Sequence, residues 1–249
     1  MYNDFTYKTY KKILLKFLSN HKNLTFSDFK KRKLEYERFF IIRHDIDYCL
    51  DKAIKMAEFD HSLSIRSTFF LQISSPYYSL FDDKGYNTIN KILSLKHEIG
   101  LHYDVANYEI RKKYNLEKEI KILSSLLSKK IYSISMHNPG INGLKLIQNK
   151  NLINAYSNTF KKNINYYSDS AGSWRDETYD FLTSDIVPKK VQFLFHPIFW
   201  DTSKGNRYIR LNKFINNKKK YWLNEKSKIE KLWLNHKGLK EHTKRLKIK

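Results

Sequence analysis

Directly after the apolar run Phe39-Phe40-Ile41-Ile42, the chain places Arg43, His44, Asp45 and Asp47 within five residues. An unbroken apolar run of this kind predicts a buried strand over 39–47. A strand sends residues i and i+2 to the same side, so Asp45 and Asp47 point together with Arg43 behind them. Neighbouring carboxylates repel unless a cation lies between them or one holds a proton. A metal site or an acid/base site accounts for the stretch. A solvated strand end carrying an Arg–Asp pair is the plainer alternative.

Three histidines repeat the pattern. His102 closes a short apolar stretch at 98–102, His137 follows 131–136, and His196 follows 191–195. Each stretch reads as a strand. Between them, Leu50, Ala53, Ile54 and Ala57 fall at helical spacing, as do Leu116, Ile120, Leu123 and Leu127, and a shorter helix is expected over 86–95. A further strand is expected at 65–73, and 152–155 and 164–167 are candidates for two more. Strand and helix in alternation predict an α/β fold with parallel strands and helices outside, an open sheet or a barrel. In such folds chemistry collects at the C-terminal strand ends. Asp45, Asp47, His102, His137 and His196 would then share one rim. Neutral His and ionised Asp are ordinary ligands of zinc and other first-row divalent ions, and a catalytic site keeps three protein ligands and one open position. A nearby carboxylate and a histidine on the far side would supply base and acid. That combination describes a metal hydrolase.

The flanks are read more coarsely. Tyr10, Leu14 and Phe17 predict a first amphipathic helix, and residues 20–33 read as a charged connection. Beyond Trp200, Leu211, Phe214, Ile215, Trp222, Ile229 and Trp233 suggest one or two amphipathic helices. No composition shift marks a boundary, so the expectation is a single domain over 1–249, with a motif core at 39–200 and a basic helical tail at 201–249. Trp174 and Trp200 are read as sugar-stacking platforms or as core. One cysteine, Cys49, excludes an internal disulfide framework. With no leader segment and no apolar run near the length of a membrane span, a soluble cytoplasmic protein is expected.

The formal charge is +22, of which +12 falls beyond residue 200. Lysine outnumbers arginine 38 to 9, whereas arginine is the better reader of bases and phosphates. A solvated basic tail with no specific nucleic acid is therefore expected. Such a tail can also make a peripheral membrane contact or hold a phosphate-bearing substrate.

In order along the chain, RHDID at 43–47, HEIGLHY at 97–103, SMHNPG at 135–140, YSDSAGSWRD at 167–176 and LFHPIFW at 194–200 resemble the motifs of the polysaccharide deacetylase (NodB-homology) family, carbohydrate esterase family four. The branch they resemble most is the one associated with surface-polysaccharide biosynthesis. The resemblance covers roughly residues 39–200. It implies a deformed (β/α) barrel, a divalent metal (zinc first), and hydrolysis of an N-acetyl or other acyl group from an amino sugar. By position it implies Asp45 as catalytic base, Asp47 and His102 as metal ligands, and His196 as the acid that protonates the departing amine. Arg43, Asp169, Trp174, Arg175 and Trp200 are implied as substrate-binding or supporting residues.

Two positions depart from the family pattern. Ile46 separates aspartates that are adjacent in the family, so their roles could be exchanged. Ala106 stands where the second metal histidine is expected, with His137 available from the neighbouring loop. The expected substrate is an acylated sugar carried on a nucleotide or a lipid. The competing reading is a non-catalytic glycan-binding or scaffold barrel with a degraded metal site.

Overall fold

The computed structural model describes residues 4–32, 36–110, 115–142, 151–174, 181, 184 and 186–235. Its centre is a parallel sheet. Strand β2 (Phe39–Ile46) is buried along its whole length and pairs in parallel with β3 (Thr68–Leu71) on one side and β8 (Lys190–Phe195) on the other. From β3 the sheet continues through β4 (Glu98–Tyr103), β5 (Ser133–Met136) and β6 (Ile153–Asn154); from β8 it continues to β7 (Asn165–Ser168). The short β1 (Lys22–Leu24) adds to the start of β2.

Helices lie between the strands. The periodicity predicts α1 (Tyr7–Leu18), α3 (Leu50–Ser62), α4 (Asp83–Ser94) and α6 (Leu116–Leu127); α2 (Phe26–Arg32), α5 (Val105–Ile110), α7 (Pro139–Asn142) and α8 (Asn158–Asn163) are added by the structure. The sheet curls. Tyr156 after β6 and Tyr166 on β7, at opposite ends of the strand order, both approach Arg43 of β2, with ring centroids 4.4 and 5.9 Å from its guanidinium carbon. The result is an open half-barrel of parallel strands with helices around it.

Alternation along β2 builds two separate layers. Phe40 meets Phe17 of α1, and His44 stacks on Phe69, so this face belongs to the outer layer. Phe39 and Ile41 face the interior, where Leu24, Phe26, Phe29, Phe70, Ala155, Phe160 and Ile164 fill the closed end. Residues 20–32 are thus corrected from a charged connection to a plug; Lys33 lies outside the described residues. The segment Thr25-Phe26-Ser27-Asp28 forms a capping box: Thr25 Oγ1 accepts from the Asp28 amide at 3.3 Å, and Asp28 Oδ2 accepts from the Thr25 amide at 3.2 Å. Glu98 anchors the plug from β4 by accepting from the Ser27 amide and hydroxyl at 2.9 and 2.8 Å, where the helix N-terminus favours a negative charge.

The chain divides into two compact units, residues 1–207 and 208–249. The sheet and every candidate site residue lie in the first. Helix α9 (Arg207–Asn235) carries the chain into the second. From 221 to 233 its residues are exposed apart from the half-buried Glu225, so that stretch buries no core of its own.

Gly100 sits between plug and rim. A Cβ there would lie 2.5 Å from the Phe70 ring and 2.7 Å from Ser133 Oγ. Both neighbours are fully buried. Gly100→Ala is therefore expected to destabilise the fold by ~1–3 kcal/mol in denaturant titration. Adding Phe70→Leu should recover part of that loss if the clash is the cause.

Candidate metal and acid–base site

The inner face of β2 continues upward from Ile41 to Arg43 and Asp45, and the chain then delivers Asp47 just past the strand end. Neighbouring strands add His102 from β4, Ser135 from β5 and, one residue beyond β5, His137. The His137 amide donates to the Tyr103 carbonyl at 2.8 Å, which continues the ladder. Asn138 then takes a left-handed conformation (φ 46°), tolerated by Asn, and turns the chain into α7. On the other side of β2, His196 follows β8, and Asp169 follows β7. All the histidines and carboxylates expected at the rim do meet there, around a cavity of about 720 Å³ lined by Asp45, Asp47, His102, His137 and His196 among others.

Asp47 is the residue that meets the histidines. Its Oδ1 lies 3.1 Å from His102 Nε2 and 3.2 Å from His137 Nδ1, and the two nitrogens are 3.2 Å apart. A tetrahedral ion with bonds of about 2.0–2.1 Å has ligand–ligand edges of about 3.3 Å. The three atoms thus form one face of a tetrahedron of that size. The tautomer agrees. His102 Nδ1 faces the Ser135 carbonyl at 3.1 Å, an acceptor only, so the ring proton sits on Nδ1 and the neutral ring aims the Nε2 lone pair at Asp47. Lone pair against carboxylate is repulsive without a proton or a cation between them. His137 Nε2 meets the Asn138 amide at 2.9 Å; ligation through Nδ1 places the ring proton on Nε2, which the amide accepts when its oxygen is turned inward. Asp47, His102 and His137 therefore make a group able to hold a metal ion. Ala106 of α5 has no part in it.

Electrostatics follow the same geometry. Burial alone would raise the Asp47 carboxyl, but with protons rather than a cation on the facing nitrogens, hydrogen bonds from His102 and His137 and the nearby His196 hold it well below the usual carboxylate range. Burial opposes a proton on His137, yet Asp47 draws its pKa above the ordinary histidine value.

Asp45 has different surroundings. Its Oδ2 accepts from Arg43 Nη2 and Ser135 Oγ, both at 3.2 Å, while Oδ1 has no hydrogen-bond partner among the described residues. Arg43 also donates to the Tyr156 hydroxyl at 2.6 Å. Tyr156 is a site residue that sequence reading missed. It lies 113 positions from Arg43, past a two-residue strand, so no local pattern pointed to it. Gln192 of β8, also unforeseen, lines the cavity with a buried Oε1 that has no partner among the described residues.

Opposite the metal triangle, His196 is held by Asp169. The fully buried carboxylate accepts from His196 Nδ1 at 2.6 Å, from the His196 amide at 3.0 Å and from Trp200 Nε1 at 2.7 Å. This leaves His196 Nε2 turned toward Asp47 Oδ2, 3.8 Å away. Burial disfavours the imidazolium, but the Asp169 charge and hydrogen bond outweigh it and raise the His196 pKa to about 9. The stacking role for the tryptophans is corrected. Trp200 is fully buried, and Trp174 stacks on Phe5 at 5.3 Å; neither lines the cavity. A buried indole N–H needs an acceptor, and Trp200 finds Asp169. Aromatic rings at the cavity come instead from Tyr48, Tyr156, Phe160, Tyr166 and Phe199. Arg175 lies outside the described residues.

No family model and no curated protein matches the chain. Among solved structures it is similar to a CE4 family pseudoenzyme from Bacillus anthracis, at 13% identity over 75% of this chain and 62% of that one, with a TM-score of 0.37. A mutant of a CE4 family pseudoenzyme with restored enzymatic activity aligns at 12% identity over 75% of this chain and 64% of that one, TM-score 0.35. The chitin deacetylase from the fungal pathogen Colletotrichum lindemuthianum aligns at 12% identity over 64% of this chain and 73% of that one, TM-score 0.36. The chain spans less than two thirds of the length of the pseudoenzyme structures. Function is accordingly argued from the site itself.

Two outcomes test this geometry. In metal-free protein the His196 ring should titrate near pH 9 by NMR, and Asp169→Asn should bring it back toward 6.5. Because the folded pKa is raised, the stabilisation from this pair is fully present below pH 6.5 and fades as pH rises through about 9. A midpoint at or below 6.5 in the parent protein would disconnect the two residues. For the other buried pair, Arg43→Met leaves Asp45 without its cation and should cost ~3–5 kcal/mol in denaturant titration. Asp45→Asn in the same chain should return most of it.

Proposed function

We propose that this protein is a metal-dependent hydrolase that removes an acyl group, N-acetyl first, from an amino sugar used in surface-polysaccharide assembly. The observation that carries the reading is the Asp47–His102–His137 triangle with its 3.1–3.2 Å edges, flanked by a hydrogen-bonded carboxylate and a carboxylate-held histidine. Two imidazoles and one carboxylate suit zinc. The cavity volume lies within the range of small-ligand sites, and its lining mixes tyrosines with the charged rim, which suits a sugar. The order of motifs along the sequence supports the same class.

A divalent ion held by the triangle supplies Lewis acidity toward an acyl carbonyl and an attacking water. The chain's own residues divide the proton work. Asp45, ion-paired to Arg43 through Oδ2 and with Oδ1 free of a hydrogen-bond partner among the described residues, takes the proton of the water as its oxygen bonds to the acyl carbon. His196 enters protonated and passes the Nε2 proton to the amine nitrogen as the C–N bond breaks. Asp169 and Trp200 hold the imidazole in the orientation that presents Nε2. The products are a carboxylic acid and a free amino sugar. The reading of a non-catalytic barrel drew its main support from Ala106, and His137 weakens that support by supplying a nitrogen from β5 instead.

Elemental analysis should find about one ion per chain, lost in His102→Ala and His137→Ala. The protein should release acetate from acetylated amino-sugar nucleotides or lipid-linked equivalents. Asp45→Asn and His196→Ala should keep the fold and lose ~10²–10⁴ in turnover, with His196→Ala retaining the metal. Wild-type rates in both variants would sink this mechanism, and absence of binding to zinc, cobalt, nickel and manganese would sink the enzyme reading.

A further inference from the structure

We infer that helix α9 docks on an anionic lipid bilayer and lies in its surface. Successive helix positions turn by about 100°, which places Leu211, Ile215, Trp222, Ile229 and Trp233 on one narrow stripe, with Tyr221 and Leu232 further round the helix beyond Lys218 and Glu225. These side chains are not covered: Trp222, Leu232 and Trp233 are 65%, 68% and 64% exposed. Lys219 and Lys226 border the stripe on one side and Lys228 on the other. The helix holds nine Lys and Arg against Glu225 and Glu230. Both acids are paired within the helix, to Lys228 at 2.6 Å and to Lys226 at 3.6 Å. An aliphatic and tryptophan stripe bordered by lysines is the composition of an interfacial helix, in which apolar groups enter the acyl boundary and lysine stems reach back to the headgroups. No helix among the described residues is long and apolar enough to cross a membrane, so the helix lies on the surface.

Charge and chemistry select this occupant. A nucleic acid would satisfy the lysines, but Ile229 and Leu232 have no π face for bases to stack on, and only two of the nine cations are arginine. A second copy would bring together two helices of the same strong positive charge. Anionic lipid satisfies the apolar stripe and the charge together. The inference does not depend on the chemistry proposed for the rim.

The test uses the full chain and vesicles of phosphatidylglycerol mixed with phosphatidylcholine, against phosphatidylcholine alone. Expected results are co-sedimentation with the mixed vesicles only, weakening with salt, and a blue shift of tryptophan emission on binding. Trp222→Ser/Ile229→Ser/Trp233→Ser, and separately Lys219→Gln/Lys220→Gln/Lys226→Gln, should each weaken binding by about tenfold or more, with circular dichroism and metal content unchanged. No binding to the mixed vesicles at low salt would overturn the inference, a result that needs no variant to fold. Equal binding to both vesicle types would overturn it too. So would a dimer by light scattering that the serine variant disperses, or tight DNA binding that the serine variant leaves intact.

Discussion

Two carboxylates on successive inward positions of one strand and its exit cannot both stand as bare anions in a closed interior. The way each is neutralised organises the rest of the site. Asp45 is answered from its own strand by Arg43, two residues back on the same face, and from β5 by Ser135. Asp47 is answered from β4 and from the end of β5 by two imidazole nitrogens. The partners differ in kind, and so do the consequences. A fixed guanidinium and a hydroxyl both meet Asp45 Oδ2, while its buried Oδ1 has no hydrogen-bond partner among the described residues. Two imidazoles aimed at one oxygen of Asp47 form with it a group able to hold an ion. The two aspartates, alike in sequence, thus have different neighbours.

His196 shows the complementary arrangement. It belongs to the opposite side of β2, and its own carboxylate, Asp169, is buried and touches neither Asp45 nor Asp47 among the contacts of the site. The pair raises the imidazole pKa to about 9, so the ring carries a proton at neutral pH. Asp45 and His196 are thus held by different partners on different strands, with Asp47 and its histidines between them.

Much of this was legible in the sequence because each of these residues closes an apolar run. The mostly apolar stretches before Asp45, His102, His137 and His196 read as strands, and parallel order brings their ends to one rim. What was not legible has physical causes. The plug at 20–32 is rich in Lys and Asn, which hid the Phe26–Phe29 stripe, although Thr25-x-x-Asp28 already carried the capping-box spacing. Tyr156 is brought to Arg43 only by the curl of the sheet, a property no local window contains. The indole of Trp200 suits a sugar platform and a core equally well; its N–H bond to Asp169 decides the matter. The division at residue 207 leaves no trace in periodicity, because α9 keeps helical spacing after its apolar residues cease to be buried; only the concentration of positive charge beyond residue 200 accompanies it.

The outer face of β2 explains why the inner face can be held so closely. His44, between Arg43 and Asp45, points the other way and meets Asp60 of α3 at 2.8 Å. Asp60 also accepts from Tyr10 of α1 at 2.7 Å and from Ser67 at 2.5 Å, and all four are buried. Burial and the Asp60 charge keep the Tyr10 hydroxyl well above its ordinary pKa, so it remains a donor. His97 completes the layer as a neutral ring, its pKa lowered by burial, accepting from the Ser67 amide at 3.1 Å and donating to the Ala57 carbonyl at 2.8 Å. Polar groups fixed on both sides of one strand leave it little freedom to slide, since a one-residue slip would exchange the faces and strand every partner. The register that aims Asp45 and Asp47 into the cavity is therefore secured as much by the network behind the sheet as by the residues in front of it.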